Sequence, residues 1–107
     1  MWYVGDMDRD VALAVIRRHE AELRRLGVVR LSLFGSTARG EAGAGSDVDV
    51  AVGLDADLTG LRALGCLERA GMLLSLWLNA SVDVVPEPVD AGPLAAAIER
   101  DRRVAFA

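Results

Sequence analysis

The sequence predicts an α/β (α+β) fold, a small mixed β-sheet with flanking helices. Three observations carry this. A long amphipathic helical pattern opens the chain, and at Val28 the apolar spacing switches from about 3.6 to two. Two further strand-like runs, Asp47 to Val52 and Ser81 to Val85, are separated by a segment long enough for a helix. The predicted order is helix, strand, strand, helix, strand, helix, which suits a sheet covered by helices.

Each element has a local cause. Residues 8 to 26 place Val11, Leu13, Ala14, Ile16, Leu23 and Leu26 near helical spacing, with Arg17, Arg18, Glu20 and Glu22 between them. Gly27 stands where a helix C-cap belongs. In the strand from Val28 to Phe34, Val29, Leu31 and Leu33 should share one face, and Arg30 and Ser32 the other. Gly35-Ser36 ends that strand and opens a short helix to about Arg39, followed by a Gly-rich loop over 40–46. In the next strand Val48, Val50 and Val52 face the core, opposite Asp47, Asp49 and Ala51. A second long helix lies within Asp55 to Asn79, starting near Leu58-Thr59. Pro86 is expected to stop the third strand, which reads as largely buried. Pro93 suits the first turn of a last helix to about Arg102, and Val104-Ala105-Phe106 can add a terminal strand.

At 107 residues the chain is expected to form a single domain over 1–107, with no room for a second, substrate-binding domain. Its formal charge is −4 and every cation is Arg, which argues against direct nucleic-acid binding and excludes lysine chemistry. One cysteine, Cys66, and one histidine, His19, exclude a disulfide framework and His- or Cys-based metal clusters. Cys66 is expected to pack as a small apolar residue and His19 to sit in solvent. Met1 to Asp6 lacks the pattern of a signal peptide, and no apolar run is long enough to cross a membrane, so a cytoplasmic location is expected.

The residues able to carry chemistry lie around the second strand. Gly35 lets a phosphate approach the backbone, and Ser36 can donate its hydroxyl; the same pair also suits a plain turn with Ser36 as N-cap. Gly35 to Gly40 has P-loop spacing, but Glu41 stands where the lysine must be. Gly43-Ala44-Gly45 fails as a dinucleotide fingerprint because position 48 is Val. Asp47 and Asp49 project from one strand face, either as a wet pair or as oxygen ligands for Mg²⁺ or Mn²⁺. Asp83 in an apolar strand needs an Arg partner or a cation; if its strand neighbours that of Asp49, three carboxylates converge. Arg39 can reach a nucleotide phosphate, or pair with Glu41 in solvent.

Gly35-Ser36, ten residues, then Asp47-Val48-Asp49 resembles the GS-x10-DxD signature of nucleotidyltransferases of the DNA polymerase beta type. The fuller run from Leu33 to Glu41, with Ser46 to Val50, is similar to that of the MNT group, the minimal nucleotidyltransferases. Val82 to Val85 resembles that group's third-carboxylate strand, and Ala97 to Arg100 with Val104 to Phe106 its closing helix and strand; Trp2-Tyr3-Val4 falls outside the likeness. The resemblance implies a nucleotidyltransferase fold and binding of ATP or another nucleoside triphosphate with Mg²⁺ or Mn²⁺. It implies that Gly35, Ser36 and Arg39 contact the nucleotide. Asp47 and Asp49 would ligate the metals, with Asp83 completing the catalytic set and acting as or orienting the base. Many MNT proteins are similar to antitoxins that silence a HEPN ribonuclease by adenylylating a tyrosine, so a metal-dependent protein adenylyltransferase with a HEPN-type partner is the implied function. Transfer to a small molecule and a non-catalytic module that covers its partner are the alternatives.

Met72, Leu73, Leu74, Leu76, Trp77 and Leu78 give the second long helix more apolar residues than one buried stripe needs. Either Trp77 joins a homodimer or partner contact, or the helix is sandwiched within one chain.

Overall fold

The computed structural model describes residues 8–43 and 45–107. The N-terminal reading, including Trp2-Tyr3-Val4, and Ala44 of the loop lie outside the described residues. The elements are α1 (Arg9–Arg18), α2 (Glu20–Leu26), β1 (Val28–Phe34), α3 (Gly35–Arg39), β2 (Val48–Leu54), α4 (Gly60–Leu78), β3 (Val82–Glu87), α5 (Pro93–Asp101) and β4 (Arg103–Phe106). The sheet order is β3-β2-β1-β4, with β2 and β3 parallel and the other pairs antiparallel, so the sheet is mixed as expected.

The pleat sends alternate β2 residues to opposite sides. Val48, Val50 and Val52 join the main core with Ile16 and Leu13 of α1, Leu23 of α2, and Cys66, Ala70 and Leu74 of α4. Ala51 faces a smaller cluster with Phe34 of β1 and Ile98 of α5. Ser32 is therefore buried rather than solvated, because α5 covers the second face. Cys66 is buried as a small apolar group, and burial pushes its thiol above the usual range.

Four boundaries depart from the sequence reading for identifiable reasons. The first helix is broken at His19, a single tight turn in which the His19 N–H donates to Ile16 O at 3.0 Å. The His19 ring is not free in solvent but stacks on Trp77, with centroids 3.8 Å apart and planes 3° from parallel. In β1 the register slips between Val28 and Arg30, a bulge that turns Val28 rather than Val29 into the core. β2 runs from Val48 to Leu54, leaving Asp47 just ahead of it. β3 passes through Pro86 to Glu87, because it is an edge strand and an exposed proline there forfeits no ladder bond.

Trp77 is half-buried and stacks on His19 within the chain. The outer face of α4 instead presents Leu61, Leu64, Met72 and Leu76, opposite the buried row of Cys66, Ala70, Leu74 and Leu78. Among the described residues no helix is long and apolar enough to cross a membrane.

Candidate active site

The site is built where β1 ends and β2 and β3 begin. Parallel pairing sets Asp49 opposite Asp83, and antiparallel pairing sets Asp49 opposite Phe34. Adjacent parallel strands lie about 4.8 Å apart, so the Asp49 and Asp83 side chains rise as neighbours from one face. This is the face opposite Val48 and Val50, the one that α5 partly covers. Asp47 stands exposed immediately before β2, whose first N–H, from Val48, donates to Ser81 O at 2.9 Å. That bond fixes the mouths of the two strands together.

Burial pushes the Asp49 carboxyl above its usual range, and repulsion from Asp83 and then Asp47 pushes it further; the Arg39 guanidinium acts the other way. The three carboxylates thus share one electrostatic neighbourhood. Among the described residues, however, no three carboxylate, imidazole or thiolate groups are drawn together closely enough to hold a metal ion as they stand. Asp83 is exposed, contrary to the buried strand read from the sequence, and no Arg partner for it exists among the described residues. An edge strand explains both: its outer side meets water, so the carboxylate needs no cationic partner there.

Gly35 explains how α3 comes so near. Its φ is +74°, and a Cβ placed on it would run into the Asp49 carboxylate, with Asp49 Cγ at 3.2 Å. Glycine meets both conditions without strain. Ser36 is the second residue of α3, not its cap: Phe34 occupies the cap position and no side chain caps the helix. The plain N-cap alternative is therefore not what forms. Thr37 is buried, and its Oγ1 has no hydrogen-bond partner among the described residues.

Arg39, at the last turn of α3, is engaged on two sides. Its Nε donates to Glu41 Oε1 at 3.0 Å, as the solvent alternative anticipated, and its Nη1 donates to Asp101 Oδ2 at 2.7 Å. Asp101 was not anticipated. Its side chain is 3% exposed and also accepts from Arg100 Nε at 2.9 Å. The bonds from Arg100 and Arg39 hold its carboxyl at about 2, well below the usual carboxylate range. Nothing in the run Glu99-Arg100-Asp101-Arg102-Arg103 marks one charge as the buried one; only the packing of α5 on α3 selects it.

Behind the site, Arg102 ties three elements together. It donates to Glu87 Oε1 and Oε2 at 3.0 and 2.6 Å, to Glu99 Oε1 at 2.8 Å and to Ser32 Oγ at 3.1 Å. Its grip holds the Glu87 carboxyl below the usual range.

The chain matches the family of proteins described as "Nucleotidyltransferase domain" over residues 16–103. Among solved structures, one of a minimal nucleotidyltransferase is 32% identical, with a TM-score of 0.72 over 91% of this chain and 95% of that one. A toxin-antitoxin structure with AMP-PNP is 22% identical, with a TM-score of 0.64 over 84% of this chain and 72% of that one. A tri-AMPylated Shewanella oneidensis HEPN toxin in complex with MNT antitoxin gives 18% identity and a TM-score of 0.59, over 88% and 71%. Comparison with curated proteins gives no match. The family match spans most of the chain, and the fold is shared with the 32% identical structure; the chain belongs to the nucleotidyltransferase domain family.

Proposed function

We propose that this protein transfers a nucleoside monophosphate, AMP from ATP, to a hydroxyl of a partner protein of the HEPN type, acting as an antitoxin in the cytoplasm. The observation that carries the reading is the pairing of Asp49 with Asp83 beside a glycine whose positive φ and close approach to Asp49 disfavour any side chain. Asp47, Asp49 and Asp83 are the residues that would hold divalent ions, and hard oxygen donors fit Mg²⁺ or Mn²⁺. Asp47 and Asp83 are exposed, and exposed side chains change rotamer freely, so the set can close. Such ions, when bound, offset phosphate charge in the in-line displacement.

The chain's own residues do the rest. Gly35 and Ser36 receive the triphosphate, with the Ser36 hydroxyl as a donor. Arg39 supplies a positive charge at the same end of the sheet. Asp83, open to solvent at the sheet edge, accepts or orients the proton of the incoming hydroxyl. The acceptor oxygen bonds to the α-phosphorus, the bond to the bridging oxygen breaks, and pyrophosphate leaves. Similarity to structures of toxin-antitoxin complexes, one with an AMPylated HEPN toxin, supports a protein acceptor and a HEPN-type partner. The exposed apolar face of α4 favours a second reading, neutralisation by simple coverage.

One titration separates the two. Wild type and an Asp47→Ala, Asp49→Ala double variant are added to the partner ribonuclease with and without ATP. Transfer predicts substoichiometric, ATP-dependent protection by wild type only, with labelled AMP recovered on the partner. ATP-independent protection at one-to-one stoichiometry by both proteins would overturn the enzymatic reading and leave the fold untouched.

A further inference from the structure

We propose, resting on the nucleotide-transfer reading above, that Asp101 is a positioning residue whose buried carboxylate aims the Arg39 guanidinium at the phosphates of the bound nucleotide. The two residues are 62 positions apart in the chain, and the 2.7 Å bond between them joins the end of α5 to the end of α3. Arg39 stands four residues after Gly35 on that one short helix, so whatever fixes α3 and its side chains fixes the approach to Asp49.

The anchor is asymmetric. Asp101 is 3% exposed and Glu41 is 66% exposed, so the bond to Glu41 is screened by water and yields easily, whereas the bond to Asp101 does not. Of the five guanidinium N–H groups, Nε is used on Glu41 and one Nη1 hydrogen on Asp101. Both Nη2 hydrogens remain without a partner among the described residues, leaving a free edge for phosphate oxygens. α3 follows β1 directly and packs on β2, with Gly35 against Asp49, so Arg39 stands at the end of the sheet that carries the carboxylates.

A single buried carboxylate between two guanidiniums also explains Arg100. Its Nε and Nη2 donate to Asp101 at 2.9 and 3.1 Å from the solvent side, so Asp101 stays charged and fixed when Arg39 turns part of its bonding to a ligand. A plain structural ion pair requires only one cation; here the second lets the first act elsewhere.

The test measures the dissociation constant of ATP with Mg²⁺ for wild type, Asp101→Asn, Arg39→Ala and the double variant, together with each melting temperature without nucleotide. Asp101→Asn should weaken ATP about tenfold, an effect of about 1.4 kcal/mol. In the Arg39→Ala background the same change should leave ATP affinity unaltered, while its effect on melting persists. Adenosine, which has no phosphate, should bind all four proteins alike. Asp101→Glu keeps the charge one methylene away and should fall between wild type and Asn; it carries the comparison if Asp101→Asn does not fold. Equal weakening in both backgrounds, or ATP affinity unchanged by Asp101→Asn and Asp101→Glu, overturns the positioning role. Wild type that binds no ATP with either Mg²⁺ or Mn²⁺ overturns the nucleotide-transfer reading itself, a different result.

Discussion

Replacing Gly35 with alanine imposes two separable costs. The first is conformational: at φ +74° an L side chain is strained by about 1–2 kcal/mol. The second is a collision, because the new Cβ would run into the Asp49 carboxylate and approach Asp49 Cγ at 3.2 Å. Gly40 isolates the first cost, since its φ is +76° but an added Cβ meets nothing within 4 Å. Gly43 isolates neither, having ordinary backbone and open space. Gly43→Ala should therefore be neutral or stabilising by up to about 1 kcal/mol, through the unfolded chain. Gly40→Ala should lose about 1–2 kcal/mol. Gly35→Ala should lose that amount plus the cost of displacing Asp49, in total about 2–4 kcal/mol, lowering the melting temperature by roughly 10–20 °C. Because Asp49 moves, Gly35→Ala should also abolish the rise in melting temperature given by ATP with Mg²⁺, which Gly40→Ala should keep. Thermal melts of the three variants, with and without ATP and Mg²⁺, read all of this. Equal destabilisation by Gly35→Ala and Gly40→Ala, with the nucleotide effect kept in both, would refute the claim that Gly35 is held by its contact with Asp49.

Three further outcomes are expected. Asp49→Asn removes a carboxylate that Asp83 and Asp47 repel, so its melting temperature should stay within about 3 °C of wild type or exceed it, while the ATP–Mg²⁺ shift disappears. Glu87→Ala leaves the Arg102 guanidinium, 23% exposed, without its bidentate partner, and urea denaturation should show a loss of about 3 kcal/mol. The Asp101 carboxyl titrates at about 2 in the fold and near 4 when unfolded, so its charged form stabilises the protein above about pH 4, and that contribution fades as pH falls towards 2; denaturation profiles between pH 5 and pH 2 should be shallower for Asp101→Asn.

What the sequence made legible was decided by local rules. The strand of β1, the alternation of Val48, Val50 and Val52, and the Pro93 start of α5 depend on neighbours in the chain, and the fold reproduces them. The placement of Gly35, Asp49 and Asp83 followed because a motif on two strands becomes a site once those strands pair in register. The features that escaped depend on partners far away. The bulge that turns Val28 inward is fixed by pairing with Gly53 and Leu54, and a residue added to one strand has no signature of its own. The break at His19 is bound up with Trp77, 58 residues on, and the burial of Asp101 with Arg39, 62 residues back.

The sheet order has a consequence for how the chain is made. β1 lies inside the sheet, but one of its two neighbours, β4, is synthesised after β1, β2 and β3. Until residues 103–106 leave the ribosome, the side of β1 that will pair with Arg103, Val104 and Phe106 is a bare edge, flanked by Leu31 and Leu33. A nascent chain in that state offers unpaired backbone amides beside apolar side chains, the condition that invites strand-to-strand association between ribosomes. Once β4 docks, Arg17 donates to Ala105 O and Val104 O at 2.9 Å and Arg24 packs over Phe106, so the helices made first lock the strand made last. A pause in translation before β4 emerges therefore lengthens exposure to aggregation, and chaperone binding to nascent chains should peak before β4 emerges and fall sharply afterwards.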